Sequence, residues 1–241
     1  MEHQIENYFE QLSEFLSVEQ EEIEGYWNDL TSDRGFLQEI NRSICSVPEF
    51  NGKQFIHVSE MRVFRCLLYL LTRIKKPEII IETGVHNGMS SAFILLAMQY
   101  NEKGRLYSID LPPIDQRILD QGTNALPKGK EPGWIIPDYL RSHHQLTLEY
   151  AQIALPDILN KIGEADLFLH DSDHDYTHIM FEIGLVWHYL IPMGLIIIDN
   201  VEQNSAFSDF SHGTSSPNLC ISSFLGQDRT WQHGIIQKLP S

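Results

Sequence analysis

The hydrophobic positions of the chain change their period near residue 58. Before it, Ile5, Tyr8, Phe9, Leu12, Phe15 and Leu16 fall on one face of a 3.6-residue repeat, which predicts an amphipathic helix. Ser17 with Gln20 three positions on has the pattern of a capping box, so a second helix is expected there. Its apolar face would be Ile23, Tyr26, Trp27 and Leu30. A third helical segment covers Phe36 to Ile40. The expected organisation is a helical cap over residues 1–57 ahead of a main domain over residues 58–241. The same helices are the candidate surface for a homodimer or a substrate lid.

From Val58 onward, helices alternate with short apolar runs. Met61 to Ile74 reads as a helix, Glu78 to Ile81 as a strand, Ser90 to Gln99 as a helix and Arg105 to Ile109 as a strand. Gln145 to Leu148 is the next strand, followed by a helix over Ala151 to Ile162 that Pro156 should interrupt or shift. Asp166 to Leu169 (strand), Tyr176 to Leu190 (helix), Leu195 to Ile198 (strand) and a late edge strand over Gly234 to Gln237 complete the pattern. Continuous β-branched runs are what strands buried on both faces look like. Their alternation with helices predicts an α/β fold with a doubly wound, mostly parallel sheet. The long Pro- and Gly-rich stretch from Leu111 to Pro137 has the character of a functional loop, read here as the wall or lid of a substrate site.

Composition narrows the partners. The chain has 241 residues, 42% apolar and 21% charged, the profile of a globular protein with a substantial core. Its formal net charge of −16 opposes binding to nucleic acid or to an anionic membrane surface. Nine acidic residues and no lysine or arginine lie in the first thirty positions, so much of that charge belongs to the predicted cap. No apolar run reaches the length of a membrane span. The start Met1-Glu2-His3-Gln4 lacks the basic and apolar parts of a signal peptide, and Cys45, Cys66 and Cys220 have no metal or redox spacing. A cytoplasmic protein with reduced thiols is the expectation.

The strand ends hold the candidate chemistry, because doubly wound sheets bind ligands beyond the C-terminal ends of their strands. The first strand runs into Glu82-Thr83-Gly84-Val85-His86-Asn87-Gly88-Met89-Ser90. Gly84 and Gly88 permit a tight turn with close ligand approach, and Ser90 stands at the start of the next helix, where amides point outward. His86 occupies the second glycine position of a dinucleotide fingerprint, which opposes a nicotinamide dehydrogenase, and the P-loop Lys is absent. Glu82 suits a cationic or neutral ligand over a pyrophosphate. Asp110, 26 residues after Gly84, ends the second strand where an acid can hold a ribose diol. The fourth strand ends in His170-Asp171-Ser172-Asp173-His174-Asp175-Tyr176 and the fifth in Asp199-Asn200. If these strands are neighbours, Asp171, Asp199 and Asn200 converge as hard ligands for Mg²⁺ or a similar divalent ion. Asp171 and Asp173 can equally cap the next helix. His174 is a candidate general base, and His178, four residues on, is read as structural in preference to zinc-binding.

The segment from Glu82 to Ser90 resembles the cofactor motif of class I S-adenosylmethionine-dependent methyltransferases. It is closest to the metal-dependent O-methyltransferases acting on catechols and caffeoyl-CoA, whose E-x-G-x-x-x-G-x-S is matched at Glu82, Gly84, Gly88 and Ser90. Asp171-Ser172-Asp173-His174-Asp175-Tyr176 is similar to the D-x-D-H-x-Y of bacterial natural-product and sugar methyltransferases. Leu190-Ile191-Pro192-Met193-Gly194 is similar to their L-x-P-G-G turn, with Met193 departing from it. The resemblance spans roughly residues 58–238 and implies a seven-stranded Rossmann-like sheet. It implies a cofactor site at Glu82, Gly84, Val85, Gly88, Ser90 and Asp110, and metal ligands at Asp171, Asp199 and Asn200. The family's catalytic lysine falls on His174, a departure that transfers the proton-accepting role to an imidazole. The expected activity is methylation of a small hydroxylated acceptor, a natural product or sugar, with S-adenosylmethionine and a divalent cation, Mg²⁺ first. The competing readings are a non-methylating enzyme on the same fold, hydroxylase- or hydrolase-like, and a non-catalytic binding module. Trp134, His143 and Phe207 are candidate walls of the acceptor pocket, together with Glu202 to Ser216.

Overall fold

In the computed structural model of the chain, residues 5, 8–48, 55, 62–112, 126–224 and 230–240 are described. The strands are β1 (Ile79–Thr83), β2 (Arg105–Asp110), β3 (His144–Leu148), β4 (Ala165–His170), β5 (Leu190–Ile198), β6 (Asn218–Phe224) and β7 (Thr230–Gln237). They form one seven-stranded sheet in the order β3-β2-β1-β4-β5-β7-β6. β1 runs parallel to β2 and β4, and β4 parallel to β5, while β7 is antiparallel to both β5 and β6. The chain travels outward from β1 to β3 and resumes on the other side of β1 with β4 and β5. That reversal is the mark of a doubly wound sheet, and it puts the switch point at the C-terminal ends of β1 and β4.

The helices are α1 (Phe9–Leu16), α2 (Gln20–Ser32), α3 (Arg34–Cys45), α4 (Val63–Lys75), α5 (Met89–Asn101), α6 (Ala151–Ile162), α7 (Tyr176–Tyr189) and α8 (Ala206–Thr214). Contacts divide the chain into two compact units: α1–α5 belong to one, and the sheet (His144 excepted) with α6–α8 to the other. In the sheet unit, Ile81, Ile109, Phe168, Ile196 and Ile198 share one buried cluster with Leu155 and Leu159 of α6, Ile183 and Val186 of α7 and Phe210 of α8. The alternate positions Ile80, Leu106, Leu167, Leu169 and Ile197 are buried too. Burial on both faces explains why these strands read as unbroken apolar runs.

In the other unit, α1 buries Phe9 and Leu12, and α2 buries Ile23, Trp27 and Leu30. Phe36 of α3 meets Phe93 of α5 edge to face at 5.1 Å. The Arg73 guanidinium of α4 lies 4.3 Å from the Tyr26 ring of α2 and bonds Asp29 at 3.0 Å and Asn101 of α5 at 3.1 Å. One buried cation thus joins three helices, its charge offset by a carboxylate and the rings of Tyr26, Tyr69 and Tyr100. Among the described residues no helix is long and apolar enough to cross a membrane.

Several local expectations change. Ser17 is the left-handed C-cap of α1, and Glu19 precedes α2 without a side-chain cap, so the capping box does not form. α3 runs from Arg34 to Cys45, and Asp33 caps its start, accepting from the Phe36 amide at 2.9 Å. α6 passes through Pro156 unbroken, its apolar face held by buried Leu155 and Leu159. The late strand is not an edge: β7 starts at Thr230 and lies between β5 and β6, and β6, whose alternating Leu219 and Ile221 carry too weak a pattern to stand out, is the edge. The Leu190–Gly194 turn is absorbed into β5 as an irregularity in its pairing with β4, with Met193 at φ 65°. Met61, the 57/58 boundary and residues 113–125 of the long loop lie outside the described residues.

Candidate functional site

Gly84 follows β1 at φ 87°, and a Cβ there would stand 2.0 Å from the carbonyl oxygen of Asp171. Its amide donates to Ile109 O at 3.0 Å, and the Asp171 amide donates to Thr83 O at 2.9 Å. The glycine is therefore required by the close approach of two strand ends of the protein itself, where the sequence suggested a ligand. Glu82, in the strand, is fully buried and accepts from Ser108 Oγ at 2.6 Å. Asp110 is half-buried at the end of β2, and its carbonyl takes the Glu149 amide at 2.9 Å.

The rest of the glycine turn belongs to the helical unit. Val85 is buried, and Gly88, at φ 88°, is the N-cap of α5. A Cβ on Gly88 would lie 2.6 Å from Gly133 Cα, so here too the glycine serves a protein contact. The amides of Gly133 and Ile135 donate to the carbonyls of His86 and Asn87 at 2.9 and 3.0 Å, pinning the turn from the far end of the long loop. Ser90 is the second residue of α5, where backbone amides have no intrahelical acceptor.

β4 and β5 are neighbours with His170 opposite Ile198, so the residues after them meet. The Asp199 amide donates to His170 O at 3.0 Å. One donor atom each of Asp171, His174 and Asp199 lies within 4.8 Å of the others. Asn200, in the left-handed conformation at φ 54° that Asn tolerates, sets its Nδ2 3.3 Å from His174 Nε2. Asn204 Nδ2 donates to His174 O at 2.8 Å and holds that loop. Among the described residues, His174 Nδ1 and Asn200 Oδ1 are buried without a hydrogen-bond partner. Such orphans are costly unless a further group completes them. Two carboxylates, an amide oxygen and an imidazole are a donor set that fits a divalent cation with bound waters. Burial and the neighbouring His170 lower the His174 pKa, against the opposing pull of Asp199, so the ring is neutral at pH 7. Asp199 is held below the usual carboxylate range: burial raises its pKa, but the hydrogen bond from His233 and the further contacts with Asp171 and His174 outweigh it.

The sequence did not reveal the buried support around this cluster. Glu182 of α7 is fully buried and accepts from Thr83 Oγ1 at 2.6 Å, His170 Nδ1 at 2.6 Å and His178 Nε2 at 2.9 Å. The available signal was an acid inside the apolar stretch of α7, four residues after His178. His178 also faces Gln152 at 3.1 Å and is not part of the cluster of Asp171, His174 and Asp199. The α7 cap is Asp175, whose Oδ1 accepts from the Thr177 and His178 amides, and not Asp171 or Asp173. Phe207 packs over β7, with its ring 2.4 Å from where a Gly234 Cβ would stand. Trp134, under the Lys130 ammonium at 5.0 Å, and His143 both fall in the helical unit.

The sequence matches the family described as "Methyltransferase domain" over residues 81–201. No curated protein matches the chain. Among solved structures it is similar to the O-methyltransferase TomG of Streptomyces achromogenes, involved in tomaymycin synthesis and solved with S-adenosylmethionine. That match has 16% identity and a TM-score of 0.58, covering 88% of this chain and 92% of the other. The S-adenosylhomocysteine complex of a Bacillus cereus O-methyltransferase matches at 15% identity and TM-score 0.57, over 86% and 92% of the two chains. An S-adenosylhomocysteine-bound methyltransferase of Podospora anserina follows at 15% identity and TM-score 0.52, over 88% and 90%. With the first glycine turn and the cluster from Asp171 to Asn200 both inside a matched segment that covers half of its length, the chain belongs to the methyltransferase-domain family.

Proposed function

We propose that the protein is an S-adenosylmethionine-dependent O-methyltransferase that activates a hydroxyl of a small acceptor, a natural product or sugar, at a divalent cation site. The observation behind this reading is the convergence of Asp171, His174 and Asp199 at the adjoining ends of β4 and β5, beside the orphaned Asn200 Oδ1. Solved methyltransferases of similar fold that hold this cofactor or its demethylated product support the choice of ligand. When bound, the cofactor supplies an electrophilic methyl group, and the cation, Mg²⁺ first, supplies positive charge that lowers the pKa of an acceptor hydroxyl.

The chain's own residues do the remainder. Asp110 holds the ribose diol, and Gly84, Val85, Gly88 and Ser90 shape the turn beneath the cofactor. Buried Glu82, braced by Ser108, places negative charge behind a cationic ligand. Asp171, Asp199 and Asn200 hold the cation. His174, neutral at pH 7, takes the acceptor proton on its imidazole ring. In the same reading residues 1–57 are a helical cap preceding a cofactor domain over 58–241, offer the face for a homodimer, and belong to a cytoplasmic protein whose Cys45, Cys66 and Cys220 are in no disulfide among the described residues.

Titration calorimetry with S-adenosylhomocysteine, followed by methyl transfer from labelled cofactor to a panel of catechols and hydroxylated sugars, tests the reading. Binding together with EDTA-sensitive labelling of an acceptor oxygen is expected. Absence of cofactor binding by the folded protein overturns it.

A further inference from the structure

A second histidine stands behind the cation site. β7 pairs antiparallel with β5 so that Gly234 faces Ile198, which brings His233 beside Asp199. His233 Nδ1 lies 2.6 Å from Asp199 Oδ1, and its Nε2 lies 2.9 Å from Ser223 Oγ on β6. All three side chains are buried, His233 to 1% exposure, so water does not compete for these bonds. An ionised carboxylate only accepts, so Nδ1 carries a proton whatever the charge of the ring. The Ser223 hydroxyl, nearer to Nε2 than to Trp231 O at 3.5 Å, is placed to donate to Nε2 and fix that tautomer. The triple has the order of a hydrolytic triad, but its serine is buried and cannot meet a substrate.

We propose that His233, oriented by Ser223, is a positioning residue for the divalent cation: it fixes the rotation of the Asp199 carboxylate toward Asp171 and His174. This rests on the proposed metal-assisted function. Partners that hydrogen-bond a ligating group govern metal affinity, and their loss costs about 10–100-fold. Asparagine in place of His233 returns an N–H donor near the Nδ1 position. Glutamine, one methylene longer, moves its donor away from Asp199.

The test is Mn²⁺ binding to the full chain by calorimetry, with thermal unfolding as a check on folding. Asp199→Ala serves as the control for the site itself. His233→Gln is expected to weaken Mn²⁺ about 10–100-fold, His233→Asn to stay close to wild type, and Ser223→Ala to weaken it about 5-fold, the worth of one neutral hydrogen bond. If wild type fails to bind Mn²⁺, or Asp199→Ala binds as well as wild type, the metal reading itself falls. If Asp199→Ala abolishes binding while folded His233→Gln and Ser223→Ala bind as wild type, the positioning role falls and the metal site stands. Should His233→Gln fail to fold, Ser223→Ala alone decides: unchanged affinity overturns the proposal.

Discussion

Glu182 gives the sharpest test of how the site is held. Its buried carboxylate accepts from Thr83, His170 and His178, with Ser172 Oγ at 3.3 Å. Burial alone would raise its pKa, but the hydrogen bonds from His170 and His178 outweigh that and hold it at about 2, against an ordinary 4.5. At 1.36 kcal/mol per unit this difference corresponds to about 3 kcal/mol of folding stability. Because the folded pKa is the lower one, the contribution is complete above pH 4.5 and is lost as pH falls toward 2. His178 shows the other side of the same contact. Its pKa is raised chiefly by the Glu182 hydrogen bond, so its share is complete below 6.5 and fades as pH rises through the raised value. Glu182→Gln keeps the volume but turns an amide N–H₂ toward donors that need an acceptor. Urea denaturation should find the variant about 3 kcal/mol less stable between pH 4.5 and 6.5, and thermal unfolding should find its Tm about 6–12 °C lower for a chain of this size. The gap should narrow at pH 3 and, less strongly, above neutrality. A loss under about 1 kcal/mol at pH 6, or a gap that stays constant down to pH 3, would mean that the Glu182 hydrogen bonds do not carry this stability.

Three further outcomes follow from the geometry. Gly84→Ala forces a Cβ to within 2.0 Å of Asp171 O at a positive φ, so it should cost at least about 2 kcal/mol in denaturant unfolding; equal stability would mean the strand ends move apart freely. His174→Ala should reduce turnover by about 10²–10⁴-fold with unchanged S-adenosylhomocysteine affinity. Because burial lowers the His174 pKa, wild-type turnover should hold from neutral pH down to below 6.5 before falling, and a rate already declining above pH 7 would contradict that base. Asp110→Ala should weaken S-adenosylhomocysteine binding by about tenfold or more in calorimetry, one charge-assisted ribose hydrogen bond being worth about 1.5 kcal/mol or more; unchanged affinity would remove Asp110 from the cofactor site.

What could be read in advance was local. Ile79–Ile81, Leu167–Leu169 and Leu195–Ile198 announced strands because a strand buried on both faces cannot alternate, and Phe9, Leu12, Ile23 and Trp27 announced helices because one stripe had to be buried. Asp171, Asp199 and Asn200 were legible because each stands just after such a run. β6 was missed, since the short run Leu219-Cys220-Ile221 followed by two serines does not rise above a loop pattern. Ser17 failed as a cap because the same residue was needed to terminate α1 in the left-handed conformation.

The division has a physical cause. Most strands and helices, the acidic strand ends and the glycine turn were legible in the sequence, because those follow from the period of burial and from chain conformation at single positions. Tertiary structure alone decided that Gly84 serves Asp171, that Glu182 gathers Thr83, His170 and His178, and that His233 and Ser223 stand behind Asp199. These contacts join residues 87, 99 and 34 positions apart through strand order and register. No local pattern encodes where a later antiparallel strand will insert. His233 reaches Asp199 only because β7 enters between β5 and β6, with Gly234 leaving room for Phe207.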